Sequence, residues 1–295
     1  MDIKMTLRKI ILSGSTFLMT LWMLQGCLPL ALRLSPTLLP NFTYAIFEEC
    51  DPELAKIAIP SNLKLLEGML KSDPKNKQIL STLSMGFSGY GLLFIEDEDP
   101  GRASQFYLRA RDYGIRALGQ KGTTLKNPNA QMDGIQNTLK QISLEDITPL
   151  CWTTAAWISW INLNLDQPYA IAQLGFAQKC LERLIELDPD YYYGLPNILM
   201  GAMLASRPKL LGGDIQRAKT YFEAAMKMEE GHFLLAPYFY AKTYAVQAQD
   251  KVLFLKLLDE IKEGHDDTLN DACLINAVVQ SKARRLKDMV DEFFF

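Results

Sequence analysis

The sequence predicts an all-α fold of stacked antiparallel helical hairpins, and three observations support this. An N-cap aspartate followed by a proline suited to the first helical turn recurs at Asp51-Pro52, Asp73-Pro74, Asp99-Pro100 and Asp188-Pro189. Apolar residues between these pairs follow helical spacing, as at Phe176, Ala177, Cys180, Leu181 and Leu184. No stretch alternates apolar and polar residues for long enough to predict a strand.

The first segment of the chain is basic and then apolar. Lys4, Arg8 and Lys9 precede the apolar residues 10–24, a stretch shorter than the ~20 residues that span a bilayer. Gly26 then provides a small residue at which a peptidase can cut. This pattern is typical of a cleaved export signal.

Cys27 is the first residue after the expected cleavage site. Its thiol is the nucleophile that accepts a diacylglyceryl group. We therefore expect a lipoprotein signal at 1–26 and a lipid-anchored tether at 27–50, with lipidation at Cys27 attaching the chain to a lipid bilayer. Gln25 is larger than the residue usual at its place. A simple signal peptide with an unrelated cysteine, or an uncleaved membrane anchor, are the alternatives.

The helical domain is predicted to cover residues 51–295. Helices are expected at 53–71, 76–95, 100–118, 150–165, 168–187, 192–205, 214–228, 233–248, 250–262 and 272–293, the last closing the array as a C-terminal capping helix. Residues 119–143 are rich in glycine and asparagine and are expected to form a long loop or a short irregular helix.

Small and aromatic residues repeat with the spacing of the second helix of a tetratricopeptide repeat. The two sets are Ala103, Tyr107, Ala110 and Ala218, Phe222, Ala225. Gly86 and Gly201 each precede their set by more residues than in a standard repeat, which predicts the same loop extension in both hairpins. The pattern indicates a tetratricopeptide-like α-solenoid.

Composition excludes some classes of function. The net charge is −3, and it becomes more negative when the basic signal is removed, so nucleic acid is not an expected partner. Cys50, Cys151, Cys180 and Cys273 are widely spaced without a CxxC pair, which argues against a zinc site and predicts no metal or other cofactor. Whether they form one or two disulfides or stay as buried thiols is left open.

No catalytic motif is present, so an enzyme is not expected. The two histidines, His232 and His265, have no partner cysteine or histidine nearby in the sequence. The acidic run at residues 96–99 is predicted to be a solvated helix cap, with a cation site as the alternative.

Ligand-binding candidates lie on two predicted helices. Trp157 and Trp160 belong to an aromatic-rich helix with apolar bulk on more than one face, which either packs in the core or lines a cavity. Arg109, Arg111 and Tyr113 lie on another helix, where an arginine facing a cavity would hold a carboxylate. Arg109, Asp112 and Arg116 share one stripe of this helix, with Arg111 and Tyr113 beside it, and an intrahelical ion ladder also explains that stripe.

The loop from Arg207 to Asp214 (RPKLLGGD) is predicted to form a turn, with Asp214 as the N-cap of the next helix. An exposed Leu210-Leu211 pair in contact with a partner protein is the alternative.

These segments resemble the T-component family of tripartite ATP-independent periplasmic (TRAP) transporters. The resemblance depends on GFSGYG (86–91), DPGRA (99–103), YLRARDYG (107–114), AAW (155–157) and RPKLLGGD (207–214). It implies an all-helical lipoprotein that associates with the periplasmic substrate-binding protein of a TRAP system. It also implies self-assembly, with a trimer as one form, and a cavity suited to hydrophobic, carboxylate-bearing molecules.

Two hypotheses follow from the sequence. The first is an accessory role in transport, in which the protein binds or passes on a small hydrophobic or amphipathic organic acid. The second is a protein-interaction scaffold of the cell envelope with no small-molecule ligand, since tetratricopeptide arrays bind peptides in their groove. Both place the chain on the periplasmic side of a membrane, and Leu28 after Cys27 favours the outer membrane over the inner one.

Overall fold

Helices are the regular elements of this protein. The computed structural model describes residues 37–127, 131–228, 232–264 and 269–294, and no β-strand occurs in them. The α-helices in chain order are α1 Leu38–Phe47, α2 Pro52–Ser72, α3 Lys77–Tyr90, α4 Pro100–Ala117, α5 Gln120–Lys126, α6 Met132–Lys140, α7 Ile147–Asn162, α8 Pro168–Ile171, α9 Leu174–Leu187, α10 Tyr191–Ala205, α11 Ile215–Ala225, α12 Leu235–Phe239, α13 Lys251–Glu263, α14 Cys273–Asp288 and α15 Val290–Phe293. The predicted all-α class is confirmed.

In the described parts of the chain, two helices continue into π-helical turns, and three 3-10 turns connect other helices. The π turns are Gly91–Ile95 after α3 and Tyr240–Ala245 after α12; the 3-10 turns are Leu144–Asp146, Lys209–Leu211 and Asn270–Ala272. Helix α3 packs against α4, and α10 packs against α11, as expected for hairpins. Stacking of these hairpins into a solenoid stays a prediction.

Two of the four predicted aspartate–proline starts are confirmed. The Asp51 side chain accepts from the backbone N–H of Glu53 and Leu54, and the Asp99 side chain accepts from that of Arg102. The prediction is wrong for Asp73 and Asp188, which are C-caps of α2 and α9. The residue that starts the next helix lies farther along the chain in both cases.

The predicted interruption at 119–143 contains two helices, α5 and α6. Gly119 adopts φ 62°, which lets the chain turn sharply before α5 begins. On α6, Ile135 and Leu139 lie one helical turn apart and are both buried, so this short helix packs against the core. The predicted helix at 168–187 is divided into α8 and α9.

A glycine allows close helix contact in each hairpin. The prediction that Gly86 and Gly201 occupy equivalent positions is wrong. A Cβ on Gly201 would lie 2.9 Å from the Phe222 ring, as the repeat requires. In the first hairpin Gly91 takes this place, 2.9 Å from the Tyr107 ring, whereas Gly86 faces Leu63. The prediction of the same loop extension is therefore wrong, because the extra residues form a π turn in one hairpin and a loop with a 3-10 turn in the other.

Acidic residues after the first π turn bind lysines from distant helices. Glu96 and Asp97 both lie 3.6 Å from the Lys242 ammonium, and Asp97 also pairs with Lys282 of α14. Burial lowers the pKa of Lys282, whose side chain is almost fully enclosed. Asp99 of this acidic run is the predicted cap, but Glu96 and Asp97 instead join distant parts of the chain.

Among the described residues, the helical stretch Lys77–Ile95 is long and apolar enough to cross a membrane. About two thirds of it is buried within the protein. That burial is typical of a helix in a protein core.

Candidate functional site

Arg109 and Tyr113 of α4 meet one carboxylate of α2. The Tyr113 hydroxyl donates to Glu67 Oε1 at 2.6 Å, and the Arg109 guanidinium pairs with the same oxygen. The guanidinium also lies 4.5 Å from the centroid of the Phe87 ring. Burial raises the pKa of Glu67, but hydrogen bonds from Lys64 and Tyr113 and the charge of Arg109 outweigh it, so the pKa lies below its ordinary value. Glu67 therefore already occupies the Arg109 guanidinium and the Tyr113 hydroxyl as their partner within the protein.

Arg111, Trp157 and Trp160 form a second packed cluster. The Arg111 guanidinium carbon lies 5.6 Å from the Trp157 ring centroid and 5.4 Å from that of Trp160. Arg111 Nη1 and Trp157 Nε1 both donate to Gln173 Oε1, at 3.3 and 2.9 Å, and Arg111 also pairs with Asp112. The structure therefore brings these three predicted residues together. The polar atoms of Arg111 and Trp157 already form hydrogen bonds or ion pairs within the protein.

The cavity that stands out lies beneath α1. This cavity, here called the α1 cleft, has a volume of about 490 Å³. Its walls come from α1, α3, α7 and α10 and include Phe47, Lys77, Met85, Trp152, Tyr191 and Tyr192. None of the five predicted ligand-binding residues lines it, whereas Trp152 of the aromatic-rich helix does.

Two smaller chambers adjoin the cleft, with volumes of about 50 and about 60 Å³. Phe47, the last residue of α1, lines both chambers and the cleft itself. The first chamber lies between α1, α2 and α3, and the second lies between α3, α7 and α10. Their walls are predominantly apolar, so a ligand with a hydrocarbon or aromatic part fits this region better than a fully polar one.

An irregular turn at the start of α10 forms the floor of the cleft. Tyr192, Tyr193 and Gly194 all have positive φ, at 47°, 57° and 74°. Non-glycine residues rarely adopt this conformation, which persists only where surrounding contacts enforce it. Here the Tyr192 ring packs 5.5 Å from Trp152 and 5.9 Å from Phe47 between ring centroids.

The Tyr192 hydroxyl is buried and has no hydrogen-bond partner among the described residues. Burial raises its pKa well above the ordinary value, and nearby Tyr193 and Asp271 add to the shift. The hydroxyl is therefore neutral. Tyr192 therefore lines the cleft through other atoms, because its hydroxyl oxygen has almost no accessible surface.

The mouth of the cleft is polar. Lys77 Nζ donates to Asp146 Oδ1 at 2.9 Å and to the Glu145 carbonyl at 3.0 Å. Lys121 pairs with the other Asp146 oxygen at 2.7 Å. Burial raises the pKa of Asp146, but hydrogen bonds from Lys121 and Lys77 outweigh it and hold the pKa below its usual range. The cleft wall therefore combines apolar side chains with the charged residues Lys77, Glu145 and Asp271.

A disulfide between Cys50 and Cys273 fixes the polypeptide just after α1 to the start of α14, with the two Cα atoms 5.1 Å apart. Cys151 and Cys180 are buried free thiols. Burial raises the pKa of Cys180 to about 12, so it is not a reactive thiolate. The sequence left open whether these four cysteines form disulfides. In the structure, two of them form one disulfide and two are buried thiols.

No group of three or more potential metal ligands occurs in the described parts of the chain. His265 and the predicted export signal with Cys27 lie outside those parts. Sequence reasoning missed Phe47 and Tyr192, although the run of three tyrosines before Gly194 was a visible signal of an unusual turn.

Comparison with known proteins identifies the family. A family model described as TRAP transporter T-component matches residues 48–294. The chain belongs to this family. It is also similar to an uncharacterized protein of Treponema pallidum (strain Nichols), with 22% identity over 270 residues, covering 86% of this chain and 84% of that protein. The family consists of transport accessory components rather than enzymes and belongs to membrane-associated systems of the cell envelope.

Proposed function

We propose that the protein is a lipid-anchored accessory component of a TRAP system that associates with the periplasmic substrate-binding protein and binds a small hydrophobic or amphipathic organic acid. The family match over residues 48–294 is the observation that carries this proposal. The proposed division is a signal at 1–26, a tether at 27–50 and a helical domain at 51–295.

The Cys50–Cys273 disulfide supports a location outside the cytoplasm. Such bonds persist in oxidising compartments such as the bacterial periplasm. Together with the sequence pattern at Cys27, this favours a mature protein held on the periplasmic side, and by Leu28 on the outer membrane. A Cys27→Ser variant tests the anchor, since it is expected to move from the membrane fraction to the soluble periplasmic fraction. Retention in the membrane would contradict lipidation at this residue.

The α1 cleft is the ligand site that the geometry favours. Its apolar side chains suit the body of the ligand, and a ligand carboxylate would reach Lys77 by sharing the Lys77–Asp146 ion pair. Arg109 and Arg111 are already paired with Glu67 and Asp112. Ligand binding by these arginines with Tyr113, Trp157 and Trp160 stays a prediction that needs a rearrangement of those pairs.

Two measurements on the mature protein test the proposal. Binding to the substrate-binding protein of the same transport system is measured by calorimetry, and native mass spectrometry of protein purified from its own periplasm reports bound molecules and the number of subunits. We expect a complex with that protein and a co-purifying organic acid. Binding of envelope proteins without any small molecule would instead support the scaffold hypothesis.

A Met85→Trp variant locates the ligand. The larger side chain fills space between the cleft and the chamber on α2 and is expected to remove the co-purifying molecule. The control is Leu108→Trp, a substitution of a partly buried residue on α4 that lines none of these cavities.

A further inference from the structure

A polar pocket lies between α2, the first π turn and α14. This pocket, here called the α14 pocket, has a volume of about 240 Å³, and among the described residues it shares no wall residue with the α1 cleft. Its charged wall residues are Glu53, Lys56, Asp97, Glu98, Lys282 and Arg285. Because carboxylates and cations both line it, we expect a ligand of this pocket to be charged.

Four of these charged groups form ion pairs within the protein. Lys56 Nζ lies 3.3 Å from Glu98 Oε1. Lys282, whose side chain is only 4% exposed, pairs with Asp97, and Asp97 also lies 3.6 Å from the Lys242 ammonium. The charges within these pairs offset one another, so the pairs form walls of the pocket and do not require a ligand.

Glu53 and Arg285 are the charged groups of the pocket that have no such partner. Both residues are exposed, and neither side chain forms a hydrogen bond or an ion pair in the described parts of the chain. Asp51 already caps α2, so the Glu53 carboxylate is not needed as a cap. A ligand that enters the pocket therefore meets a free carboxylate on α2 and a free guanidinium on α14.

Positive charge is in excess on the α14 side of the pocket. Burial raises the pKa of Asp97, but the hydrogen bond from Lys282 and the charges of Lys242, Lys282 and Arg285 outweigh it, so the pKa lies below its ordinary value. Three cations thus act on this partly buried carboxylate, and Glu96 is the second anion beside Lys242. The excess favours an anionic group of a ligand at Arg285.

We propose that the α14 pocket binds a small zwitterion with an apolar side chain, of the α-amino acid class, whose carboxylate meets Arg285 and whose ammonium group meets Glu53. A guanidinium binds a carboxylate through two parallel hydrogen bonds, which fixes the orientation of the ligand. Phe94 and Val278 contribute apolar surface to the same walls. That surface suits an aliphatic or aromatic side chain of the ligand.

A zwitterion explains the pocket better than a simple ion does. An anion alone would pair with Arg285 and leave Glu53 without a partner, and a cation alone would do the reverse. The three carboxylates of the pocket do not form a metal-binding group in the described parts of the chain. The volume of about 240 Å³ is also larger than a single ion needs, whereas it accommodates a molecule of the size of leucine.

Equilibrium dialysis of the mature protein with radiolabelled L-leucine tests the proposal. Two competitors share the leucine side chain but lack one charge: 4-methylpentanoate has no ammonium group, and L-leucinamide has no carboxylate. We expect leucine to bind, and each competitor to displace it only at a concentration at least about tenfold higher than unlabelled leucine, because each loses one charge-assisted contact. Equal displacement by all three would overturn the proposal, as would the absence of binding by both leucine and phenylalanine.

Two variants separate the two contacts. Arg285→Gln is expected to weaken leucine binding by about tenfold or more and to abolish the preference for leucine over leucinamide. Glu53→Gln is expected to weaken it similarly and to abolish the preference over 4-methylpentanoate. Because both side chains are exposed and unpaired, both variants should melt close to the wild-type temperature.

Matched controls are Arg217→Gln on α11 and Glu263→Gln on α13, which replace exposed residues of the same types outside the pocket. Both are expected to bind leucine like the wild-type protein. If Arg285→Gln and Glu53→Gln also keep full affinity, leucine binds elsewhere and the inference is wrong.

Met85→Trp separates this inference from the proposed function, because Met85 lines the α1 cleft and not the α14 pocket. The variant is expected to bind leucine like the wild-type protein. Loss of leucine binding in this variant would place the zwitterion in the α1 cleft and contradict the inference. The proposed association with a substrate-binding protein stands or fails separately, since none of these measurements includes that protein.

Discussion

Tyr192 combines two unfavourable features at one residue. Its φ of 47° lies in a region that costs roughly 1–3 kcal/mol for a residue with a Cβ. Its buried hydroxyl lacks a partner, which costs a further ~1–3 kcal/mol. Neither feature improves the packing of the free protein. The strained backbone places the tyrosine in the wall of the α1 cleft, and nothing in the structure explains the unpartnered hydroxyl.

Tyr192→Phe tests whether this hydroxyl is unsatisfied. Removing it is expected to raise the free energy of unfolding by about 1 kcal/mol. The matched control is Tyr191→Phe, since the Tyr191 hydroxyl donates to Thr148 Oγ1 at 3.0 Å and its loss is expected to destabilise the protein. Urea unfolding of both variants gives the comparison. Equal destabilisation by the two changes would contradict an unsatisfied hydroxyl at Tyr192.

Glu67 makes the stability depend on pH. The pKa of its carboxyl is lower in the folded protein than in the unfolded chain, so its contribution is present above the unfolded value of about 4.5 and is lost as the pH falls through the folded value. Glu67→Gln should therefore destabilise the protein more at pH 7 than at pH 3. Urea titrations at the two pH values measure this, and an equal loss at both would show that the charge of Glu67 does not matter.

At the scale of elements, the π turn after α3 places Gly91 against Tyr107 of α4. Gly91→Ala is expected to lower the free energy of unfolding by about 1–3 kcal/mol, because the new Cβ would lie 2.9 Å from the tyrosine ring. The control is Gly68→Ala on α2, where no neighbouring atom lies within 4 Å. That change is expected to raise stability by ~0.5–1 kcal/mol through helix propensity. Thermal melts distinguish the two, and similar shifts in the same direction would contradict the close packing.

The elements themselves could be predicted in large part from local sequence. Asp51 and Asp99 cap helices as expected, and the faces with Tyr107 and Phe222 are buried as the repeat pattern indicates. The prediction fails at Asp73 because an aspartate before a proline is equally suited to end a helix. Only the residues that follow determine whether a helix ends or begins there. The short helix α6 was not specified in the prediction, because the glycine and asparagine residues around it favour a loop.

The candidate site could not be predicted to the same extent. The α1 cleft forms where four helices distant in sequence converge, and no local spacing reports that convergence. Trp152 was visible as part of an aromatic-rich helix, but the sequence could not say which of its tryptophans faces a cavity. The positive φ of Tyr192 is imposed by packing and is not a preference of tyrosine.

At the scale of the whole molecule, the Cys50–Cys273 disulfide joins the segment between α1 and α2 to the start of α14. Four cysteines allow three complete pairings, and the two that bond are 223 residues apart, so the sequence left the pairing open. The bond holds α1 in place above the cleft. It is therefore both a stabilising link and a restraint on access to the candidate site.

Cys50→Ser tests this link. The variant is expected to lose about 2–5 kcal/mol of stability and to release its ligand faster, since α1 is no longer fastened to α14. Reductant provides the control: it should lower the melting temperature of the wild-type protein to that of the variant and leave the variant unchanged, because Cys151 and Cys180 are free thiols. A wild-type protein insensitive to reductant would contradict the disulfide.

The long separation of the bonded cysteines has a consequence for biogenesis. On the export route proposed above, Cys273 would follow Cys50 through the membrane by 223 residues, so the native disulfide could form only after nearly the whole polypeptide had been exported. The link between the end of α1 and α14 would then be the last one made. Under the proposed function, an export intermediate stalled before Cys273 would lack this link and is expected to retain a ligand less well.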